Sequence, residues 1–166
     1  MRLLSALLLL SVISLASCYR KHDSDPHPRN AYNYIPDTNR YSVPMIYANV
    51  NGYKYSFYPY SNIKSSEGNY EHGVASGYWK LYYSDGKLLR EGNYSNGKLS
   101  GYWKFYYPNG LKKEEGNYQN NIKSGNWIYY YPSGIISSQG NYSNGVKEGE
   151  WSFYNEDGSL NYKTSY

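Results

Sequence analysis

The sequence predicts an all-β fold: an elongated, single-layer antiparallel β-meander of tandem 24-residue hairpin repeats. Three observations predict it. The four tryptophans, Trp79, Trp103, Trp127 and Trp151, recur every 24 residues, and most of their surroundings recur with them. Each period holds two turn signatures rich in Gly, Asn and Asp, separated by segments of about six or seven residues, too short for helices. Composition completes the case, with 25 Tyr and 4 Trp against 3 Phe and few aliphatics. Such a chain coheres through aromatic rings, each burying roughly 150–250 Å². A period this regular means that each unit buries its apolar face only against its neighbours.

The elements follow in chain order. Residues 1–17 read as an export signal: Arg2 supplies a positive charge, and residues 3–15 are apolar apart from serines. That stretch falls short of the ~20 residues a membrane-spanning helix needs. It ends in Leu15-Ala16-Ser17-Cys18, which resembles the lipobox of bacterial lipoproteins, and Cys18 is the single cysteine. The resemblance implies acylation of Cys18, a mature chain beginning there, and anchoring to a membrane by lipid. Residues 18–45 are polar and carry Pro26, Pro28, Pro36 and Pro44, the composition of a flexible tether. His22 and His27 fall in that stretch and His72 in a turn, too scattered for a metal site.

Residues 46–67 read as a degenerate N-terminal capping repeat. Laid without gaps on the first full unit, Tyr55 takes the tryptophan place, Phe57-Tyr58 match Leu81-Tyr82, and Glu67 matches Glu91. Residues 68–166 hold four repeats, 68–91, 92–115, 116–139 and 140–163, plus a terminal strand end. One turn per unit carries Ser84-Asp85-Gly86 and its copies, the other Glu71-His72-Gly73 and its copies. Both are expected to need positive φ at their central residues. In the third unit Asn121 stands where the others have glycine, the next best residue for left-handed backbone. About ten strands result, spanning some 45–50 Å at ~4.8 Å each.

Alternation assigns the faces. One side reads Trp79/Leu81/Tyr83, Trp103/Phe105/Tyr107, Trp127/Tyr129/Tyr131 and Trp151/Phe153/Asn155, apolar throughout and therefore a structural aromatic ladder. The other mixes charge with an unbroken column, Tyr82, Tyr106, Tyr130 and Tyr154, which is the candidate binding face. Glu67, Glu91, Glu115 and Gln139 form a further regular column, expected to bond turn backbone or a nearby lysine.

The unit carried by Gly77-Tyr78-Trp79-Lys80-Leu81-Tyr82-Tyr83, Glu91-Gly92-Asn93-Tyr94, Gly97 and Gly101 resembles the MORN-repeat variant of bacterial YwqK-type antitoxin proteins. The resemblance covers the chain from about Tyr53 onward. It implies a twisted single-layer sheet of hairpins and an interaction module, some relatives being reported to engage peptides or lipids. An antitoxin role would require an exported or envelope-facing toxin, given the signal ending at Cys18.

For function, the sequence offers no nucleophile elbow, phosphate-binding glycine loop, metal-ligand spacing or paired acids. The reading is of no enzyme, no cofactor and no metal. A net charge of +4 spread along the chain argues against nucleic acid. What remains is a lipid-anchored binding or scaffolding module of the cell envelope with a protein or peptide partner. In a Gram-negative cell the outer membrane is favoured over the inner, and without acylation of Cys18 the protein is secreted. The alternative is binding of a cell-wall glycan or choline-type polymer through the aromatic face, by stacking or cation–π attraction.

Overall fold

The computed structural model describes residues 50–166. The signal, Cys18, the tether with His22 and His27, and the start of the capping repeat lie outside the described residues. Ten strands form one antiparallel sheet in sequential order: β1 Gly52–Phe57, β2 Lys64–Glu71, β3 Val74–Tyr82, β4 Leu88–Ser95, β5 Lys98–Tyr106, β6 Lys112–Gln119, β7 Ile122–Tyr130, β8 Ile136–Ser143, β9 Val146–Tyr154 and β10 Leu160–Ser165. No helix occurs among the described residues. The inner strands run to eight or nine residues, longer than expected, because pairing begins directly after each tight turn.

The two turns differ. His72-Gly73, Asn96-Gly97, Asn120-Asn121 and Asn144-Gly145 all have two consecutive residues at positive φ. This is the two-residue hairpin geometry that matches strand twist. Asn121 adopts φ 71 in the glycine place. At the other turn only the glycine is left-handed, as at Gly86 with φ 85. There Gly86 N donates to Tyr83 O at 2.9 Å and Tyr83 N to Lys87 O at 2.8 Å. The loop is one residue longer, so a single left-handed glycine closes it and Asp85 keeps ordinary backbone. Two-residue turns also tie units together: Gly97 N donates to Ala75 O, Asn121 N to Leu99 O and Gly145 N to Lys123 O.

One packing motif explains the Gly-Asn-Tyr signature. Each indole lies over the glycine of the preceding strand, so that a Cβ on Gly92 would sit 2.4 Å from Trp103 and one on Gly116 2.4 Å from Trp127. The next residue's carbonyl accepts the indole N–H: Trp103 Nε1 to Asn93 O at 2.9 Å, Trp127 Nε1 to Asn117 O at 3.0 Å. The tyrosine after it packs edge-on against the same ring, Tyr94–Trp103 and Tyr118–Trp127 both at 5.0 Å. All four tryptophans are 0–1 % exposed, and Tyr70, Tyr94 and Tyr118 are buried with them. The core is thus an alternating tyrosine–tryptophan ladder on one face. A kink accompanies it: the register jumps between Gly92 and Asn93, opposite Gly101 at φ 69. Glycine accepts that left-handed backbone without a Cβ penalty.

The capping repeat departs from the gap-free alignment. Lys54 pairs with Gly68 and Tyr55 with Glu67, whereas Trp79 pairs with Gly92 and Lys80 with Glu91. Lys54, not Tyr55, therefore holds the tryptophan position. The turn from Tyr58 to Ile63 closes with Tyr58 N donating to Ile63 O, one residue more than Tyr83 to Lys87. That extra residue shifts β1 by one and turns Tyr55 to the other face.

Candidate functional site

The tyrosine face is organised by carboxylates. Tyr82 donates to Glu67, Tyr106 to Glu91 at 2.7 Å and Tyr130 to Glu115, while Gln139 Nε2 donates to Tyr154 Oη at 2.9 Å. The glutamate column thus chiefly serves the tyrosine column, with lysine as a second partner at Lys64 (2.8 Å from Glu67) and at Lys112 beside Glu115. Each carboxylate also gathers a second phenol: Tyr53 at Glu67, Tyr78 at Glu91 and Tyr102 at Glu115. Tyr82, Tyr106, Tyr130 and Tyr154 are half-buried. The second row, Tyr53, Tyr55, Tyr78 and Tyr102, is 45–58 % exposed.

Charges follow from these contacts. Lys64, then Tyr82, hold the Glu67 carboxyl down at about 2. Burial would raise Glu115, but Lys112 and Tyr130 outweigh it and its carboxyl stays below the usual range. Burial, then the Glu91 bond, pushes Tyr78 up to about 12, and the same causes raise Tyr106 further.

On the tryptophan face the ladder is structural, but one stretch breaks the repeat. Four residues before each tryptophan stand Ala75, Leu99, Lys123 and Lys147. Two residues after stand Leu81, Phe105, Tyr129 and Phe153, and a flanking column reads Ser66, Arg90, Glu114 and Ser138. Around Trp127, where the third repeat meets its two neighbours, these become a polar cluster. Lys123 Nζ lies 2.7 Å from Glu114 Oε2, 2.8 Å from Tyr129 Oη and 3.8 Å from the centre of the Trp127 ring. Tyr129 Oη meets Tyr142 Oη at 2.9 Å. The side chains of Lys123 and Glu114 are only 16 % and 12 % exposed. Burial, then the Tyr142 bond, raises the Tyr129 phenol well above its ordinary value. Beside them opens a groove of 440 Å³ lined by Tyr107, Lys113, Glu114, Lys123, Tyr129 and Tyr142, among others.

Reading one face by alternation located the ladder but missed this groove. The signal was present as polar substitutions in two columns, Lys123 and Tyr129, with a carboxylate at Glu114 in a third; it shows only when units are compared with one another rather than averaged. Cys18 lies outside the described residues.

The geometry is that of a stacked hairpin array, and the family comparison agrees. The MORN repeat variant matches residues 75–96, 99–120, 123–144 and 147–166, just over half of the chain, and the chain belongs to this family. Each match runs from the end of one two-residue turn to the next, one hairpin per unit, the same period cut at a different phase. No curated protein matches the chain.

Proposed function

We propose that this protein is a non-enzymatic binding and scaffolding module of the bacterial cell envelope, anchored by lipid at Cys18, whose tyrosine face engages a protein or peptide partner. One observation carries the reading: the exposed rings of Tyr53, Tyr78 and Tyr102 share carboxylates with Tyr82, Tyr106 and Tyr130. The hydrogen bonds of Tyr82, Tyr106 and Tyr130 hold those carboxylates in place beside the exposed phenols before any ligand arrives, which lowers the ordering cost of binding. Tyrosine supplies large, amphipathic contact area of the kind binding surfaces favour. The rings concentrate at the N-terminal end of the face, since Asn126 and Glu150 replace Tyr78 and Tyr102 further along. The YwqK-type resemblance supports an antitoxin-like role, in which case the partner would be a toxin acting outside the cytoplasm.

A photo-crosslinking residue at Tyr102 is expected to capture one defined partner in envelope preparations, while the same residue at Lys147 captures none. With the crosslinker at Tyr102, Tyr53→Ala/Tyr78→Ala should abolish that capture while the strands stay folded by circular dichroism. Equal capture from both positions, or none from Tyr102, contradicts the assignment. A mass spectrum of the mature N-terminus tests the anchor: diacylated or triacylated Cys18 is expected, and an unmodified chain refutes it.

A further inference from the structure

The tryptophan-face groove of the third repeat is built against the interest of packing. Leu99 fills the corresponding place in the second repeat at 0 % exposure, which shows that an apolar residue fits there. A sparsely exposed lysine–glutamate pair in that place, Lys123 with Glu114, must offset a desolvation penalty that leucine avoids. Tyr129 brings a hydroxyl where Leu81, Phe105 and Phe153 bring none, and that hydroxyl meets Tyr142 Oη at 2.9 Å. Polar groups converging beside aromatic rings around 440 Å³ match the composition and size of small-molecule sites.

The chemistry narrows the ligand. A quaternary ammonium would need ring faces in the groove, but Lys123 Nζ already lies over Tyr129 and Tyr142 at 4.8 and 5.6 Å and Lys113 Nζ over Tyr107 at 5.9 Å, which disfavours the choline-type reading for this groove. An anion would meet the repulsion of Glu114, which neutralises Lys123 at 2.7 Å, while the other lysine of the lining, Lys113, is exposed to solvent. An extended peptide added as a strand needs an open edge, whereas β6, β7 and β8 are paired on both sides. A neutral ring with many hydroxyls suits what is left: alternating donors and acceptors at Lys123, Glu114, Tyr129 and Tyr142, and tyrosine rings for its C–H faces. We infer that this groove binds a neutral pyranose unit of a glycan, on the face opposite the one proposed for the protein partner.

The test is calorimetric titration of the full chain with maltotetraose, cellotetraose and the N-acetylglucosamine tetramer. At least one should bind. Tyr129→Phe, which keeps the ring and removes the hydroxyl, should weaken that binding at least tenfold. Ser137→Trp, at a residue that also lines the groove, should block it while the thermal midpoint holds. Tyr106→Phe, on the other face, should leave it unchanged. Absence of heat with all three sugars at millimolar concentration, or affinity indifferent to Tyr129→Phe and Ser137→Trp, overturns the inference.

Discussion

The first two repeats and the last two share a backbone but place their chemistry on opposite faces. Early in the array the tryptophan face is sealed by Ala75, Leu81 and Leu99, and Arg90 is buried beside them. Its tyrosine face carries the exposed Tyr78 and Tyr102. In the third and fourth repeats, lysines stand over the indoles instead, Lys123 on Trp127 and Lys147 on Trp151 at 4.3 Å. The tyrosine face there has lost its outer phenols to Asn126 and Glu150. A tandem array keeps its clasp in every unit because cohesion requires it, and is free to vary the columns around the clasp. Both proposed binding surfaces lie in those varied columns.

That contrast can be broken experimentally, from large effects to small. Trp103→Ala should cost about 3–5 kcal/mol, as for other fully buried large aromatics, and Trp127→Ala a similar amount, measured by chemical denaturation. A much smaller loss at Trp127 would mean that the lysine-covered half is held together differently. Gly116→Ala adds only a methyl, yet it meets the Trp127 indole at 2.4 Å; about 1–3 kcal/mol of destabilisation is expected. Glu114→Ala strips Lys123 of its carboxylate and should cost about 1.5–3 kcal/mol. The double change Glu114→Ala/Lys123→Leu, which restores the leucine found at Leu99, should recover most of that loss.

A subtler pair sharpens the comparison at single hydroxyls. Tyr94 Oη is buried without a hydrogen-bond partner, because Leu81 stands where Tyr129 meets Tyr142. Tyr94→Phe should therefore be neutral or stabilising, and Tyr142→Phe destabilising by about 0.5–1.5 kcal/mol. The same sign for both would show that the polar cluster adds nothing.

Titration supplies a further check. Glu67 is held at about 2 in the folded chain against an ordinary 4.5, so its contribution is present above pH 4.5 and is lost as pH falls toward 2. Tyr78, raised to about 12 from 10, contributes fully below pH 10 and loses that contribution as pH rises through 12. Tyr106 and Tyr129 act in the same direction. Denaturation midpoints should accordingly fall below pH 4.5 and above pH 10, and Glu67→Gln should flatten the acid limb.

Much of the fold was legible in the sequence, because period, turn residues and strand alternation all point the same way. Asn121 in a glycine place marked a two-residue turn, and its φ of 71 is what such a turn needs. The capping repeat was misaligned because one residue inserted between Tyr58 and Ile63 leaves similar letters in register while reversing the faces of β1. The reason for Gly-Asn-Tyr was invisible: a glycine stacked by a ring and a carbonyl accepting an indole proton depend on cross-strand register, which a repeat pattern does not reveal. Likewise the tyrosine hydroxyls looked open to ligand, yet their carboxylate partners lie 15 residues away along the chain.

The claim beneath all of this is that every unit is closed by an indole seated on glycine, its N–H donated to the carbonyl of the asparagine that follows. Hydrogen exchange of the four indole Nε1–H groups by NMR reads that contact directly. Four separate signals, each exchanging only as slowly as the neighbouring strand amides allow, are the expected result. Indole protons that exchange at the rate of free tryptophan while the strand amides remain protected would contradict it.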